Sequence, residues 1–139
     1  MTSTIIKSNA ASEVSDVDID RGQPYGKSLV KNMWYYAFPS EAVKHGKVVS
    51  KVMLNQPIAV GRDANGKAFA IRDICPHQAV PLSAGRIVAE NGVQTVECPY
   101  HGWRYDCDAK CVLIPAHPNT PPPLKARAFP HRVEERYGM

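Results

Sequence analysis

Two short segments of the sequence each carry one cysteine and one histidine, residue types that bind soft and borderline metal ions. The segments are Cys75-Pro76-His77 and Cys98-Pro99-Tyr100-His101, and in both of them a proline follows the cysteine and stiffens the backbone. An extended loop turns residues two apart to the same side, and a tight turn can bring together residues three apart. If the two loops lie side by side, two sulfurs and two nitrogens converge on one site.

Two kinds of centre match this set of ligands. A single zinc ion accepts two sulfurs and two nitrogens, but zinc sites usually pair cysteine with cysteine and histidine with histidine. A Rieske-type [2Fe–2S] cluster takes two cysteines at one iron and two histidines at the other. The mixed pairs favour the cluster, with a reduction potential within about −150 to +300 mV. A zinc-stabilised interaction module stays open as an alternative.

Short strands joined by close turns are predicted to position both segments. The metal-binding segments follow strand-like runs that end at Arg72 and Glu97, and turn sequences occupy residues 63–66 and 91–92. Ser40 is predicted to cap a helical turn over residues 41–45. The full pattern predicts an all-β fold, a small antiparallel sandwich with strands at 33–38, 48–54, 58–62, 68–72, 86–89, 94–97, 112–114, 126–129 and 132–136.

Length and composition predict one small domain. The chain has 139 residues, of which 44% are hydrophobic, and residues 1–28 read as a flexible polar tail before a domain at 29–139. The net charge of +4 comes without a dense basic run, so we expect no nucleic-acid partner, although it could steer an acidic redox protein. No stretch predicts a membrane span or a secretory signal, and we expect a cytoplasmic location.

The motifs resemble one family over residues 29 to 138. Cys75-Pro76-His77, Pro81-Leu82-Ser83, Gly85-Arg86 and the run from Cys98 to Asp106 are similar to the N-terminal Rieske domain of the large (alpha) subunit of ring-hydroxylating non-haem iron oxygenases. The resemblance implies a Rieske-type sandwich with two cluster-binding loops. It also implies one [2Fe–2S] cluster per chain, ligated by Cys75, His77, Cys98 and His101.

The residues expected around the cluster show both agreement with this family and departures from it. Gln78 stands where the family usually has arginine, and Ala79 where it usually has glycine. Val80 and Tyr100 occupy the positions of the disulfide found in the high-potential respiratory branch, so we expect a potential at the low end of the range. Trp103 is expected to shield the cluster, and the hydroxyl of Tyr105 to reach a ligand sulfur. The full set around the cluster is Gln78, Tyr100, Gly102, Trp103 and Tyr105.

The resemblance implies one-electron transfer in an aromatic-ring-hydroxylating or demethylating monooxygenase or dioxygenase. A reductase or ferredoxin would be the donor, and a catalytic domain with an iron held by two histidines and a carboxylate would be the acceptor. No such iron site is recognised in this sequence, so the chain alone is not expected to hydroxylate a substrate, and its status as an enzyme stays open. The alternative is a free-standing Rieske ferredoxin, and a His/His/Asp iron site encoded beyond Met139 would argue against it.

Other reactive or aromatic residues are expected to be structural. Cys107 and Cys111 are interpreted as reduced surface cysteines, because the complete ligand set lies elsewhere. The aromatic run at residues 34–36 is expected to fill the core of the sandwich. The widely spaced histidines are expected at the surface, and these are His45, His117 and His131.

Overall fold

The computed structural model describes the backbone of Ser3–Lys7 together with residue 30, residues 32–90 and residues 92–139. In these residues the chain forms ten strands, and its helical structure consists of two 3₁₀ turns, Ser40–Ala42 and Leu82–Ala84. None of the described helices is long and apolar enough to cross a membrane. The strands are β1 (Ser3–Lys7), β2 (Trp34–Pro39), β3 (Val49–Met53), β4 (Gln56–Arg62), β5 (Ala68–Arg72), β6 (Arg86–Glu90), β7 (Val93–Glu97), β8 (Arg104–Tyr105), β9 (Cys111–Leu113) and β10 (Pro130–Glu135).

All neighbouring strands pair antiparallel, in two sheets. The larger sheet has the order β2-β1-β10-β5-β4-β3, and the smaller has the order β6-β7-β8-β9. Glu90 pairs with Val93, so β6 and β7 form the predicted two-residue hairpin, with Gly92 at a positive φ of 77°. The prediction of a small antiparallel β-sandwich is therefore confirmed.

The central strands β4 and β5 are buried on both faces, and their side chains alternate between two hydrophobic clusters. Ala59 and Ile71 pair across the strands and belong to the cluster beneath the metal-binding loops, whereas Val60 and Ala70 belong to the other cluster. Successive side chains of a strand point to opposite faces, which explains this division. The first cluster also contains Cys75 and Cys98, so the core directly supports the candidate metal site.

Several predicted boundaries are wrong. Ser3–Lys7 form β1 between β2 and β10 instead of part of a flexible tail; the rest of that predicted tail lies outside the described residues. Residues 126–129 form no strand and contribute only a single bridge, Lys110 to Arg127. Ser40 belongs to the 3₁₀ turn instead of capping it, because its hydroxyl donates to Glu135, which lies far along the chain.

The aromatic strand β2 does not fill the core as expected. Trp34 is 42% exposed and Tyr36 is 52% exposed, whereas the buried residue of this strand is Ala37. β2 lies at the edge of the larger sheet, and Trp34 and Tyr36, which as alternate residues share one face of the strand, are the exposed ones. The aromatic residues of this strand therefore reflect β-propensity at a sheet edge more than core packing.

Candidate metal centre

Two loops bring the predicted ligands together. The first loop, residues 73–85, joins β5 to β6, and the second loop, residues 98–103, joins β7 to β8. Cys75 is 2% exposed and Cys98 is 4% exposed, whereas His77 and His101 are both exposed. The sulfur atoms therefore lie at the floor of the site and the imidazole rings at its solvent edge.

Both loops are built on the same pair of backbone hydrogen bonds. In the first loop the Cys75 amide donates to the carbonyl of Val80, and the Ala79 amide donates to the carbonyl of Cys75. In the second loop the Cys98 amide donates to the carbonyl of Trp103, and the Gly102 amide donates to that of Cys98. Each cysteine thus closes a turn with the residues four and five positions later, and this turn fixes the direction of the cysteine side chain.

The fourth position after each cysteine adopts a left-handed backbone. Gly102 has a φ of 69°, which glycine adopts without penalty, whereas Ala79 has a φ of 56°, which costs about 1–2 kcal/mol for a residue with a Cβ. The departure of Ala79 from the family pattern therefore falls on a loop position whose left-handed backbone favours glycine.

The ligand candidates meet as two like pairs. The rings of His77 and His101 have centroids 4.8 Å apart, and Cys75 and Cys98 are buried in the same core cluster, where, after burial, the neighbouring Cys75 contributes to raising the pKa of Cys98. Within residues 32–90 and 92–139, no three His, Cys, Asp or Glu side chains converge as they would around one metal ion. A sulfur pair beside a nitrogen pair is the donor set that a cluster of two irons takes.

Hydrogen bonds and burial act on the two sulfur atoms differently. Burial raises the pKa of the Cys98 thiol, while backbone hydrogen bonds from Tyr100 and His101 oppose this increase. The sulfur of Cys75 lies 3.3 Å from the hydroxyl of Tyr105, which is fully buried beneath it. The hydroxyl of Tyr105 is thus within hydrogen-bonding distance of a candidate ligand sulfur, and burial followed by contact with Cys75 raises the pKa of this tyrosine.

Aromatic rings cover the histidine pair from two sides. The ring of Trp103 stacks on that of His77, with centroids 4.5 Å apart and planes 5° apart, so each loop contributes one ring to this stack. Tyr100 is 62% exposed and its ring contacts that of His101 at 3.9 Å. Gln78 is exposed and stands next to His77 in the chain. Of the residues expected around the site, Trp103 is the one that covers a histidine face across the two loops.

A buried carboxylate, which the sequence motifs did not reveal, braces the first loop. Asp73 is 4% exposed and accepts hydrogen bonds from the Ser50 hydroxyl at 2.6 Å, the Ser83 amide at 2.7 Å and the Ser83 hydroxyl at 2.5 Å. These contacts join β3, the start of the loop and the 3₁₀ turn near its end. The sequence signal for this role was the position of Asp73, an acidic residue directly after a largely apolar strand and directly before Ile74.

The second loop is instead braced by charges near the surface. Glu97 accepts from Arg86 at 2.8 Å and from Arg104 at 2.8 Å, and Arg104 also pairs with Glu90 at 2.7 Å. Burial raises the pKa of Glu97, but the hydrogen bonds from Arg104 and Arg86 outweigh it and lower the pKa overall. These ion pairs link β6, β7 and β8 around the start of the second loop.

The loops meet at Gly85, the last residue of the first loop. A Cβ placed there would lie 1.9 Å from the carbonyl oxygen of Glu97, which immediately precedes the second loop. No side chain can be accommodated at this distance, so the close approach of the two loops depends on glycine.

The remaining candidate residues do not belong to the ligand pairs, although Cys107 and Cys111 pack against the core cluster that contains Cys75 and Cys98. Cys107 and Cys111 are free but half-buried, and burial raises the pKa of Cys107 to about 11, which keeps this thiol protonated at neutral pH. His45 and His117 are exposed, as expected. His131 is only 7% exposed, so its predicted surface position is wrong; it pairs with Ala70 of β5 in the larger sheet.

Comparisons with known proteins agree with this geometry. Residues 33–130 match the family model of the Rieske [2Fe-2S] domain. The chain is 37% identical over 101 residues to cholesterol 7-desaturase from Ciona intestinalis, which covers 73% of the chain and 21% of that protein. It is 39% identical over 105 residues to the oxygenase component of dicamba O-demethylase from Stenotrophomonas maltophilia, covering 74% and 29%. The chain therefore spans less than a third of these relatives.

Solved structures share the fold as well. The crystal structure of dicamba monooxygenase superposes with a TM-score of 0.62 at 36% identity, covering 70% of this chain and 29% of that one. The structure of NdmB from Pseudomonas putida superposes with a TM-score of 0.58 at 37% identity, covering 62% and 25%. With two like pairs of cysteine and histidine on twin loops and a family model that matches most of its length, this chain belongs to the Rieske [2Fe-2S] domain family.

Proposed function

We propose that Cys75 and Cys98 hold one iron of the [2Fe–2S] cluster and that His77 and His101 hold the other. The observation that carries this assignment is the separation of the four side chains into a buried sulfur pair and an exposed imidazole pair. The bound cluster supplies one-electron transfer between its two oxidation states. The surrounding residues of this chain influence the stability of the reduced state and determine the face at which the electron is transferred.

The protein provides hydrogen bonds on the sulfur side and access on the nitrogen side. Once Cys75 is a metal-bound thiolate, the hydroxyl of Tyr105 must donate to it, which stabilises the additional negative charge of the reduced state. The exposed edges of His77 and His101 can each direct a second ring N–H towards an electron acceptor. Trp103 keeps water from one face of the His77 ring.

The proposed context is a ring-hydroxylating or demethylating oxygenase. Relatives named as demethylases and oxygenases support it, among them the methylxanthine N1-demethylase of Pseudomonas putida, which is 39% identical over 87 residues. In this proposal a reductase or ferredoxin reduces the domain, and a catalytic iron domain receives the electron. We also propose a cytoplasmic location, since the four thiols of the chain are unpaired and thiols persist in reducing compartments.

Electron paramagnetic resonance of anaerobically purified, dithionite-reduced protein tests the cluster assignment. We expect a rhombic signal with the lowered average g value that histidine ligation produces, together with two irons and two acid-labile sulfides per chain. Cys75→Ser and Cys98→Ser should each abolish the signal, whereas the matched controls Cys107→Ser and Cys111→Ser should retain it. Zinc without iron in the wild-type protein would contradict the assignment.

The acceptor is tested by stopped-flow reoxidation of the reduced protein. Reoxidation by an iron-loaded catalytic domain of this oxygenase class, dependent on its aromatic substrate and O₂, is the expected result. If the catalytic domain does not reoxidise the protein, whereas a general electron acceptor does so rapidly, the oxygenase role is contradicted and a free-standing carrier is supported.

A further inference from the structure

The described arginines fall into two groups. Four of the seven pair with glutamates at 2.6 to 2.8 Å, as Arg62 does with Glu135. No ion pair to a described residue is found for the other three, and all three are exposed. These three line one cavity of about 730 Å³, and they are Arg72, Arg127 and Arg132.

No carboxylate is found among the described residues that line this cavity, the arginine pocket. Its three guanidinium groups therefore concentrate positive charge around one cavity, and an anionic partner would balance that charge. Arginine binds carboxylates through two parallel hydrogen bonds, which makes carboxylate side chains well suited to this pocket. The charge of the pocket is thus a specific feature of this surface, beyond the modest net charge of the whole chain.

A buried histidine in the pocket wall provides a second, independent observation. His131 is only 7% exposed, and neither of its ring nitrogens has a hydrogen-bond partner in the described residues. Burial, followed by the charge of Arg72, lowers the pKa of His131 and favours the neutral ring. Buried polar groups in native proteins usually have partners, so an unpartnered imidazole beside three free arginines indicates an incomplete site.

The pocket also has the composition of a protein interface. Phe129 is 45% exposed among the arginines, and Pro76 completes the wall. Arginine and aromatic side chains are enriched at the energetically important centres of interfaces. A free small anion would need only the charges, whereas the exposed apolar surface of Phe129 and Pro76 favours a macromolecular partner.

The position of the pocket indicates which partner it serves. Pro76 lies between the proposed ligands Cys75 and His77, so a protein bound here is next to the first loop. Neither histidine of the ligand pair lines the pocket, nor does Trp103, and the exposed histidine edge is left free. A donor in the pocket and an acceptor at the histidine edge would therefore not compete for the same residues.

We propose that the arginine pocket is the docking site for an acidic protein that reduces this domain, an inference that rests on the proposed electron-transfer function. Acidic side chains of the donor pair with Arg72, Arg127 and Arg132, and its apolar surface covers Phe129. One electron then leaves the reduced iron–sulfur or flavin centre of the donor and enters the site beside Pro76. The donor is oxidised, the domain is reduced by one electron, and no atom is transferred.

Isothermal titration calorimetry with two probe proteins tests the docking site. At low ionic strength an acidic plant-type [2Fe–2S] ferredoxin should bind the full-length, cluster-loaded chain, and a basic cytochrome c should not. The triple variant R72Q/R127Q/R132Q should weaken ferredoxin binding at least about tenfold, because three arginine–carboxylate pairs are lost.

A matched triple variant separates the pocket from overall charge. K44Q/K47Q/K67Q removes the same three positive charges from exposed positions outside the arginine pocket, and we expect it to change affinity less than about threefold. Equal weakening by the two triple variants, or wild-type affinity in the arginine variant, would overturn the proposal. Failure of the ferredoxin to bind the wild-type chain would overturn it as well.

Two further measurements separate protein docking from loss of the cluster and from binding of small anions. The dithionite-reduced resonance signal should be the same in both triple variants; if the wild-type protein lacks this signal, the proposed function itself fails, independently of docking. Inorganic phosphate should compete with ferredoxin only weakly, in the way that any salt does. Saturable phosphate binding to the pocket that leaves ferredoxin affinity unchanged would assign the pocket to small anions and overturn the docking proposal.

Discussion

The two metal-binding loops have the same backbone hydrogen bonds, although the spacing of cysteine and histidine in their sequences differs. Their motifs differ, because the histidine follows the cysteine by two residues in the first loop and by three in the second. Their backbone hydrogen bonds are nevertheless the same, from the cysteine to the residues four and five positions later. In this shared frame His77 corresponds to Tyr100, and Gln78 corresponds to His101.

The loops differ most in what holds them in place. The first loop depends on the buried carboxylate of Asp73 and tolerates a strained Ala79, whereas the second depends on partly exposed ion pairs at Glu97 and has an unstrained Gly102. A buried hydrogen-bonded group has a larger effect on stability than exposed ion pairs do. We therefore infer that the rigidity of the site comes more from the first loop than from the second.

The largest effect is expected where the two loops touch. Gly85→Ala places a Cβ 1.9 Å from the carbonyl oxygen of Glu97, so the backbone of one loop must move and the β6–β7 pairing at Arg86 must distort. We expect a loss of about 4 kcal/mol or more in the free energy of unfolding, followed by loss of the cluster. Thermal unfolding monitored by circular dichroism measures this, and a wild-type midpoint would show that the loops do not depend on close contact.

Removing the carboxylate that supports each loop, Asp73 or Glu97, should lower the free energy of unfolding by unequal amounts. Asp73→Ala leaves Ser50 and Ser83 without their buried acceptor and should destabilise the protein by about 3 kcal/mol. Glu97→Ala removes ion pairs to Arg86 and Arg104 and should cost only about 1 kcal/mol after solvent screening. Urea unfolding of both variants checks the order. A larger loss in the Glu97 variant would reverse our conclusion about the first loop.

The contribution of Glu97 to stability should also depend on pH. Because the folded-state pKa of Glu97 is lowered, its contribution is complete above the unfolded-state pKa of about 4.3 and disappears as the pH falls towards the folded-state value. The stability difference between Glu97→Ala and the wild-type protein should therefore shrink below about pH 4. An unchanged difference in that range would contradict the ion-pair explanation.

Exchanging the residues at the left-handed positions should produce small effects of opposite sign. Ala79→Gly relieves a φ of 56° and should stabilise the protein by about 1 kcal/mol. Gly102→Ala introduces the same strain and brings a Cβ to 3.1 Å from Pro115, so it should destabilise by about 1–2 kcal/mol. Urea unfolding measures both changes in the free energy of unfolding. If the two changes have the same sign, the two turns are not equivalent.

The smallest effect concerns the electronic environment of the first-loop sulfur. Tyr105→Phe removes the hydroxyl 3.3 Å from Cys75 while retaining the buried ring. Loss of a hydrogen bond to a ligand sulfur destabilises the reduced state, so the midpoint potential should fall by roughly 20–60 mV. Protein-film voltammetry measures the shift, and an unchanged potential would mean that the hydroxyl does not donate to this sulfur.

The sequence alone identified the ligand candidates, the aromatic residues beside them and the β-sandwich class. These features depend on local information: the spacing of cysteine and histidine within one loop, the proline after each cysteine, and turn signals between short strands. Tyr105 was also identified, since its position after the second motif resembles that of a known family. Local spacing therefore determined which residues form the site.

Only the tertiary structure showed how the site is supported and where it is accessible. The pairing of Pro130 with Ile71 buries His131 and places Arg127 and Arg132 beside Arg72, residues that are far apart in the sequence. The contact between Gly85 and Glu97 and the role of Asp73 likewise depend on strands from different parts of the chain. Such features could not be read from the sequence, because burial and the pairing of charges are decided by long-range contacts.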